Sequence, residues 1–180
     1  MMSVVYIFWM YVLLFGVIGA IRGWAKELLV AFSVVTALAV NLLLEKYVPL
    51  MQALVESTTP ENLKSLFWVR IIILIALVYF GYQTVAIHRL ASKAARERLQ
   101  DALFGAVLGG FNGYLIAGTA LYYNHDARYP FPDVISRASD PTLVDTIERM
   151  MAYMPPRFLA EPQIYFAVIL ILIFIIVVYV

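Results

Sequence analysis

The sequence contains no cysteine. That excludes disulfides, iron–sulfur clusters and thiolate zinc sites together. Histidine is almost as scarce, with only His88 and His125, so an imidazole-rich metal site is not expected. Charged residues make up 14% of the chain, where soluble proteins carry about a quarter. The formal net charge of +1 leaves no electrostatic footprint for nucleic acid. No Lys or Arg precedes Arg22. The first apolar run therefore lacks the basic n-region of a cleavable signal peptide and reads as a retained spanning helix.

What the sequence has instead is apolar residues. They form 63% of the 180 residues, and the mean hydropathy is +0.86. A soluble domain stops near 45–50%, so the excess calls for lipid as a second solvent. Five runs approach the ~20 residues that carry a helix across a ~30 Å hydrocarbon core. They are residues 4–21, 28–44, 67–87, 102–123 and 163–180. The second and fifth are short, and the second could be re-entrant. The expected fold is an all-α polytopic membrane helical bundle of about five spans plus one outer amphipathic helix. The expected division is a four-helix membrane core over 1–123, an extracytoplasmic segment over 124–162 and an additional C-terminal transmembrane helix over 163–180.

Punctuation between the runs has a physical reading. Arg22, Lys26 and Glu27 interrupt the first two runs over about six residues, which forces an antiparallel hairpin. Thr59 before Pro60 reads as an N-cap with proline at the first helical position, and Asp140 before Pro141 reads as a second helix start. From there Leu143, Val144, Ile147, Met150, Met151 and Met154 recur on one helical face, with Asp145, Glu148 and Arg149 off it. This amphipathic helix either lies on the membrane surface or caps the bundle. Assigning the first hairpin turn and the 89–101 linker to one side gathers Arg22, Lys26, Arg89, Lys93, Arg96 and Arg98 against Glu27, Glu97 and Asp101, a net +3. With a total of +1, the other side holds net −2. The positive side is expected to be cytoplasmic, which puts the N-terminus outside and the C-terminus in the cytoplasm.

Glycine is concentrated where helices are expected to cross. Gly105, Gly109 and Gly113 share one face of the fourth run, and Gly16, Gly19 and Gly23 recur in and after the first. Small residues let backbones approach in lipid, so close packing is the leading reading and a glycine-lined pore the other. The polar residues counted inside the runs (Ser33, Thr36, Asn41, Gln83, Thr84, Asn112 and Thr119) include no ionisable group. Arg70 is expected to snorkel to the outer interface beside Trp68. A pump is disfavoured on this reading. His88 and His125 fall on opposite membrane faces and cannot pair as ligands. No spacing marks a nucleophile elbow or triad, so no catalytic residue, cofactor or metal is expected. An Arg22–Glu27 pair could fix the hairpin turn, against the simpler reading of positive-inside flanking.

Two segments carry a resemblance. Ile21-Arg22-Gly23-Trp24-Ala25-Lys26-Glu27-Leu28 resembles the Arg-Gly-Phe-x-x-Glu hairpin of the colicin V production (CvpA) family of bacterial inner-membrane proteins. Residues 101–110, with Asp101, Gly105 and Gly109, resemble the opening of that family's fourth helix. Asn112-Gly113 stands where the family usually has Arg-Gly, and the run from Gln163 is an addition to the common four-helix form. The resemblance implies a non-catalytic protein of the bacterial inner membrane, linked to envelope maintenance and colicin V export. The alternatives are an accessory structural subunit of a respiratory or photosynthetic assembly and, third, a channel or transporter component. Expected partners are the lipid bilayer and other membrane protein subunits.

Overall fold

A computed structural model describes residues 4–83, 98–135 and 140–179. Among them the structure is helical, with no strand. The elements are α1 (Val4–Arg22), α2 (Trp24–Tyr47), α3 (Pro49–Glu56), α4 (Pro60–Gln83), α5 (Arg98–Asp126), α6 (Pro141–Met151), α7 (Pro155–Phe158) and α8 (Gln163–Tyr179). Lipid offers no partner for a free N–H or C=O, so a spanning segment satisfies them within its own helix. Four helices, α1, α2, α4 and α5, are long and apolar enough to cross a membrane. With α8, of 17 residues, as a shorter apolar helix, the architecture is an all-α membrane helical bundle.

The helices run longer than the apolar stretches that announced them. The 17-residue second run becomes the 24-residue α2, because charged residues at both its ends remain helical. That length fits a span, with no re-entrant break. In α5 the helix continues past Tyr123 to Asp126. Pro49 opens α3, where its missing N–H costs nothing at the first helical position. His88, Thr84 and the linker charges Arg89, Lys93, Arg96 and Glu97 lie outside the described residues.

The core gathers Val30, Val34 and Leu38 of α2, Ile71 and Leu74 of α4, Leu115 of α5 and Ile164 of α8. A second cluster joins Phe8 and Leu121 to Ile147, Met151 and Met154. The amphipathic α6 thus docks its apolar face on the end of the bundle. Its start follows the expected chemistry: Asp140 Oδ1 accepts from Thr142 N at 2.8 Å, with Pro141 at the first position. The Thr142 hydroxyl also donates to Asp140 Oδ1 at 2.6 Å, and that bond, followed by the one from Thr142 N, holds the Asp140 carboxyl below its ordinary range. On the outward face, Arg149 pairs with Asp145 one turn earlier.

Candidate functional site

The closest approach in the bundle is between α1 and α5, which run antiparallel along each other. A Cβ built on Gly19 would stand 2.7 Å from Gly109 Cα, and one on Gly113 would stand 2.8 Å from Phe15 Cβ. Gly105 presses on the Gly19 and Gly23 backbones. No side chain fits at these positions, and at Gly19, Gly105 and Gly109 the contact is backbone on backbone. Gly16 is different. Its nearest neighbour would be the Ala106 carbonyl at 3.4 Å, with Gly110 Cα at 3.8 Å, which is ordinary contact. The expected glycine set therefore divides into a tight core of Gly19, Gly105, Gly109 and Gly113 and a looser margin at Gly16. Gly118 performs a related task elsewhere: a Cβ there would stand 2.9 Å from Met154 Sδ and Pro155 Cδ, so its bareness lets α7 seat on α5.

The turn between α1 and α2 sits at one end of this crossing. Gly23 is the N-cap of α2, with φ 85°, a left-handed conformation that L side chains rarely adopt. A glycine cap has no side chain to offer the first free N–H groups. Asp101, in the first turn of α5, supplies one: its Oδ1 accepts from Trp24 N at 3.1 Å. The carboxylate also faces the positive end of the α2 dipole. Gly23 and Asp101 therefore depend on each other, since a Cβ on Gly23 would stand 2.6 Å from the Asp101 carboxylate.

One turn into α2, Glu27 is fully buried. Arg22 Nε stands 3.0 Å from its Oε1, an ion pair without the alignment of a hydrogen bond. Asn112 Nδ2 donates to both Glu27 Oε2 and the Glu27 carbonyl, each at 2.8 Å. The Arg22 guanidinium also lies 4.2 Å from the centre of the Tyr82 ring, and its Nη2 donates to the Tyr82 carbonyl at 3.4 Å. Glu27 is thus a buried carboxylate of α2 held from two other helices, by Arg22 of α1 and Asn112 of α5. Asn112 is the departure from the family's Arg-Gly, and it supplies hydrogen bonds at Glu27 while Arg22 supplies the charge.

A second polar centre departs from expectation. Arg70 does not snorkel to the interface; it is 4% exposed. Its Nε donates to Glu45 Oε1 at 2.7 Å and its Nη1 to Asp126 Oδ2 at 2.6 Å. Tyr123 presents its ring 5.0 Å from the guanidinium carbon, and Asn41 Nδ2 donates to the Arg70 carbonyl at 3.3 Å. The reason is arithmetic of position. Arg70 lies three residues into the apolar run but a full ten residues past the start of α4 at Pro60, so it faces the bundle rather than water. With Glu27, it also corrects the expectation that the spans hold no ionisable group. Of the two histidines, His125 is described, and its Nδ1 lies 3.1 Å from Tyr129 Oη. No group of three or more His, Asp or Glu able to hold a metal ion occurs among the described residues.

Fold and polar centres together define a multi-pass membrane protein organised on a glycine crossing and a buried Arg–Glu hairpin. The family model for colicin V production protein matches residues 6–140. The chain belongs to the colicin V production family. No curated protein and no solved structure gives a significant match.

Proposed function

We propose that the chain is a non-catalytic, multi-pass protein of the bacterial inner membrane that serves envelope maintenance and the export of colicin V. The family match over residues 6–140 carries this reading. It covers the Arg22–Glu27 hairpin, the Asp101 cap and the whole of the α1/α5 crossing. The N-terminus lies outside and the C-terminus in the cytoplasm, with α8 as a fifth span; the net +3 of the hairpin and linker side supports that orientation. Packing is the role of Gly19, Gly105 and Gly109, because the backbone of the facing helix leaves them no room for a side chain.

The direct test is complementation. The chain, expressed in a colicin V-producing strain that lacks its own family member, should restore secreted colicin activity. Stable insertion without restoration would overturn the reading. Orientation is tested separately by fusing a reporter active only in the cytoplasm after Gln100 or after Ser57; the first should be active and the second silent.

A second reading, accessory subunit of a larger membrane assembly, is favoured by one observation. On α8 the side chains of Leu170, Leu172, Ile173, Ile176 and Val177 remain exposed, a broad apolar face wide enough for a neighbouring helix as well as for lipid. Purification in mild detergent with mass spectrometry separates the two: a stoichiometric partner set supports the subunit, a lone chain or homo-oligomer the first reading.

A further inference from the structure

At the end of the bundle where α2 and α5 finish, a cavity of about 260 Å³ opens beside Arg70. Its polar wall is Asn41, Glu45, Arg70 and Asp126, and Leu38, Leu42 and Leu159 are among its apolar lining. Two carboxylates share one guanidinium here, each giving one oxygen to Arg70. Arginine stays protonated in proteins, so with both carboxylates ionised the centre carries a net charge of −1. An independent feature points the same way. Asn41 is 1% exposed, and its Oδ1 has no hydrogen-bond partner. The amide cannot simply turn over, because Nδ2 donates to the Arg70 carbonyl, and a flip would set two acceptors against each other. A buried acceptor left without a donor has given up its hydration for nothing in return.

The cavity thus lacks one positive charge and at least one hydrogen-bond donor. We propose that it binds a primary alkylammonium group. An ammonium carries three donors, no acceptor and a single compact charge, which suits Asn41 Oδ1 together with the Glu45 and Asp126 carboxylates. Its alkyl stem lies along the leucines. A quaternary ammonium brings the charge without a donor for Asn41, and water brings a donor without the charge. Val55 and Leu159 also line the cavity and lie outside the four long spans, so the site stands at the membrane boundary. An ammonium can reach it there from an aminophospholipid headgroup or from a free amine in solution. The proposal is independent of colicin export.

The test uses the full chain in a neutral, amine-free detergent, with thermal unfolding followed at constant ionic strength. Propylammonium chloride should raise the midpoint saturably, whereas sodium and tetramethylammonium chloride should not. Asp126→Asn, on a half-exposed side chain, and Asn41→Leu should each weaken apparent propylammonium affinity at least tenfold. Two variants guard against one failing to fold. Reconstitution in nanodiscs distinguishes the sources. If phosphatidylethanolamine abolishes the propylammonium response and phosphatidylcholine preserves it, the headgroup is the occupant; if both preserve it, a free amine is. A midpoint that responds equally to the three cations, or a propylammonium response unchanged in both variants, would overturn the proposal and leave water as the filling.

Discussion

Gly19 and Gly109 meet backbone to backbone, each standing where the other's side chain would be: a Cβ on either would lie 2.7 Å from the other's Cα. Lipid tails are as apolar as any added side chain, so no hydrophobic gain offsets a forced separation. Gly109→Ala and Gly19→Ala should each destabilise the protein by about 1–3 kcal/mol, the usual range for overpacking. Gly16→Ala, with ordinary contact distances, should be tolerated. For larger substitutions Val107→Leu, at a position 70% exposed, is the appropriate control against Gly109→Leu. Thermal unfolding in detergent measures all five. Equal losses at Gly16 and Gly109 would contradict the division of the glycine set.

Asp101 is the cap that Gly23 cannot provide. Asp101→Ala should cost about 1 kcal/mol, as lost N-caps do, and Asp101→Asn less, because it keeps an oxygen acceptor. Gly23→Ala should cost more than Asp101→Ala, since it adds a strained φ to a clash with the carboxylate. Unfolding midpoints of the three variants give the order, and a Gly23→Ala protein as stable as Asp101→Asn would refute it.

The Arg22–Glu27 pair should respond asymmetrically. Arg22 is partly exposed, at 23%, and Glu27 is not, at 0%. Glu27→Gln leaves an arginine that can still reach water, whereas Arg22→Gln leaves a buried carboxylate without its counter-charge. The loss for Arg22→Gln should approach the ~3–5 kcal/mol of a broken buried pair. The loss for Glu27→Gln should be smaller, and the double variant should fall short of the sum. A double-mutant cycle with additive losses would remove the pair from the account.

At Arg70 the fork geometry matters as much as the charge. Two nitrogens of one planar guanidinium reach carboxylates on two helices. Lysine has a single nitrogen and cannot hold both in that arrangement. Arg70→Lys should therefore destabilise nearly as much as Arg70→Gln, within about 1 kcal/mol of each other. Full retention of stability in Arg70→Lys would show that charge alone suffices.

Acid should loosen the attachment of α8. Glu161 accepts from Lys46 Nζ at 2.7 and 2.9 Å, and that hydrogen bonding, followed by one from Tyr165, holds its carboxyl below the ordinary range. A lowered carboxyl pKa stabilises the fold above the usual carboxylate range, near pH ~4.3, and the contribution fades as pH falls through the depressed value. Both groups are exposed, so the effect is small. Lys46→Gln should flatten that part of the acid limb of the unfolding midpoint; an acid limb identical to that of the unmodified chain would show that the pair contributes nothing.

The spans and caps were legible because their signals are local. Apolar runs announced α1, α2, α4 and α5, the four-residue spacing of Gly105, Gly109 and Gly113 placed them on one face, and Asp140-Pro141 marked the start of α6. What escaped was pairing across the chain. Glu45 and Asp126 look like charges that end a run, and nothing in the periodicity joins them to Arg70, 25 and 56 residues away. The cap from Asp101 crosses 77 residues to Trp24. Glu27 was assigned to a turn, and only the continuation of α2 through it makes it a buried spanning-helix residue.

The α1/α5 crossing is the centre of the account, and a disulfide can report it in native membranes. The chain has no cysteine to interfere. Gly16 and Gly110 offer room, because a Cβ on Gly16 would lie 3.8 Å from Gly110 Cα, and a disulfide requires Cα atoms within ~7 Å. The pair Gly16→Cys with Gly110→Cys should crosslink within one chain under mild oxidation, and Gly16→Cys with the lipid-facing Val107→Cys should not. Crosslinking of the Val107 pair with none in the Gly110 pair, or none in either, would contradict the crossing.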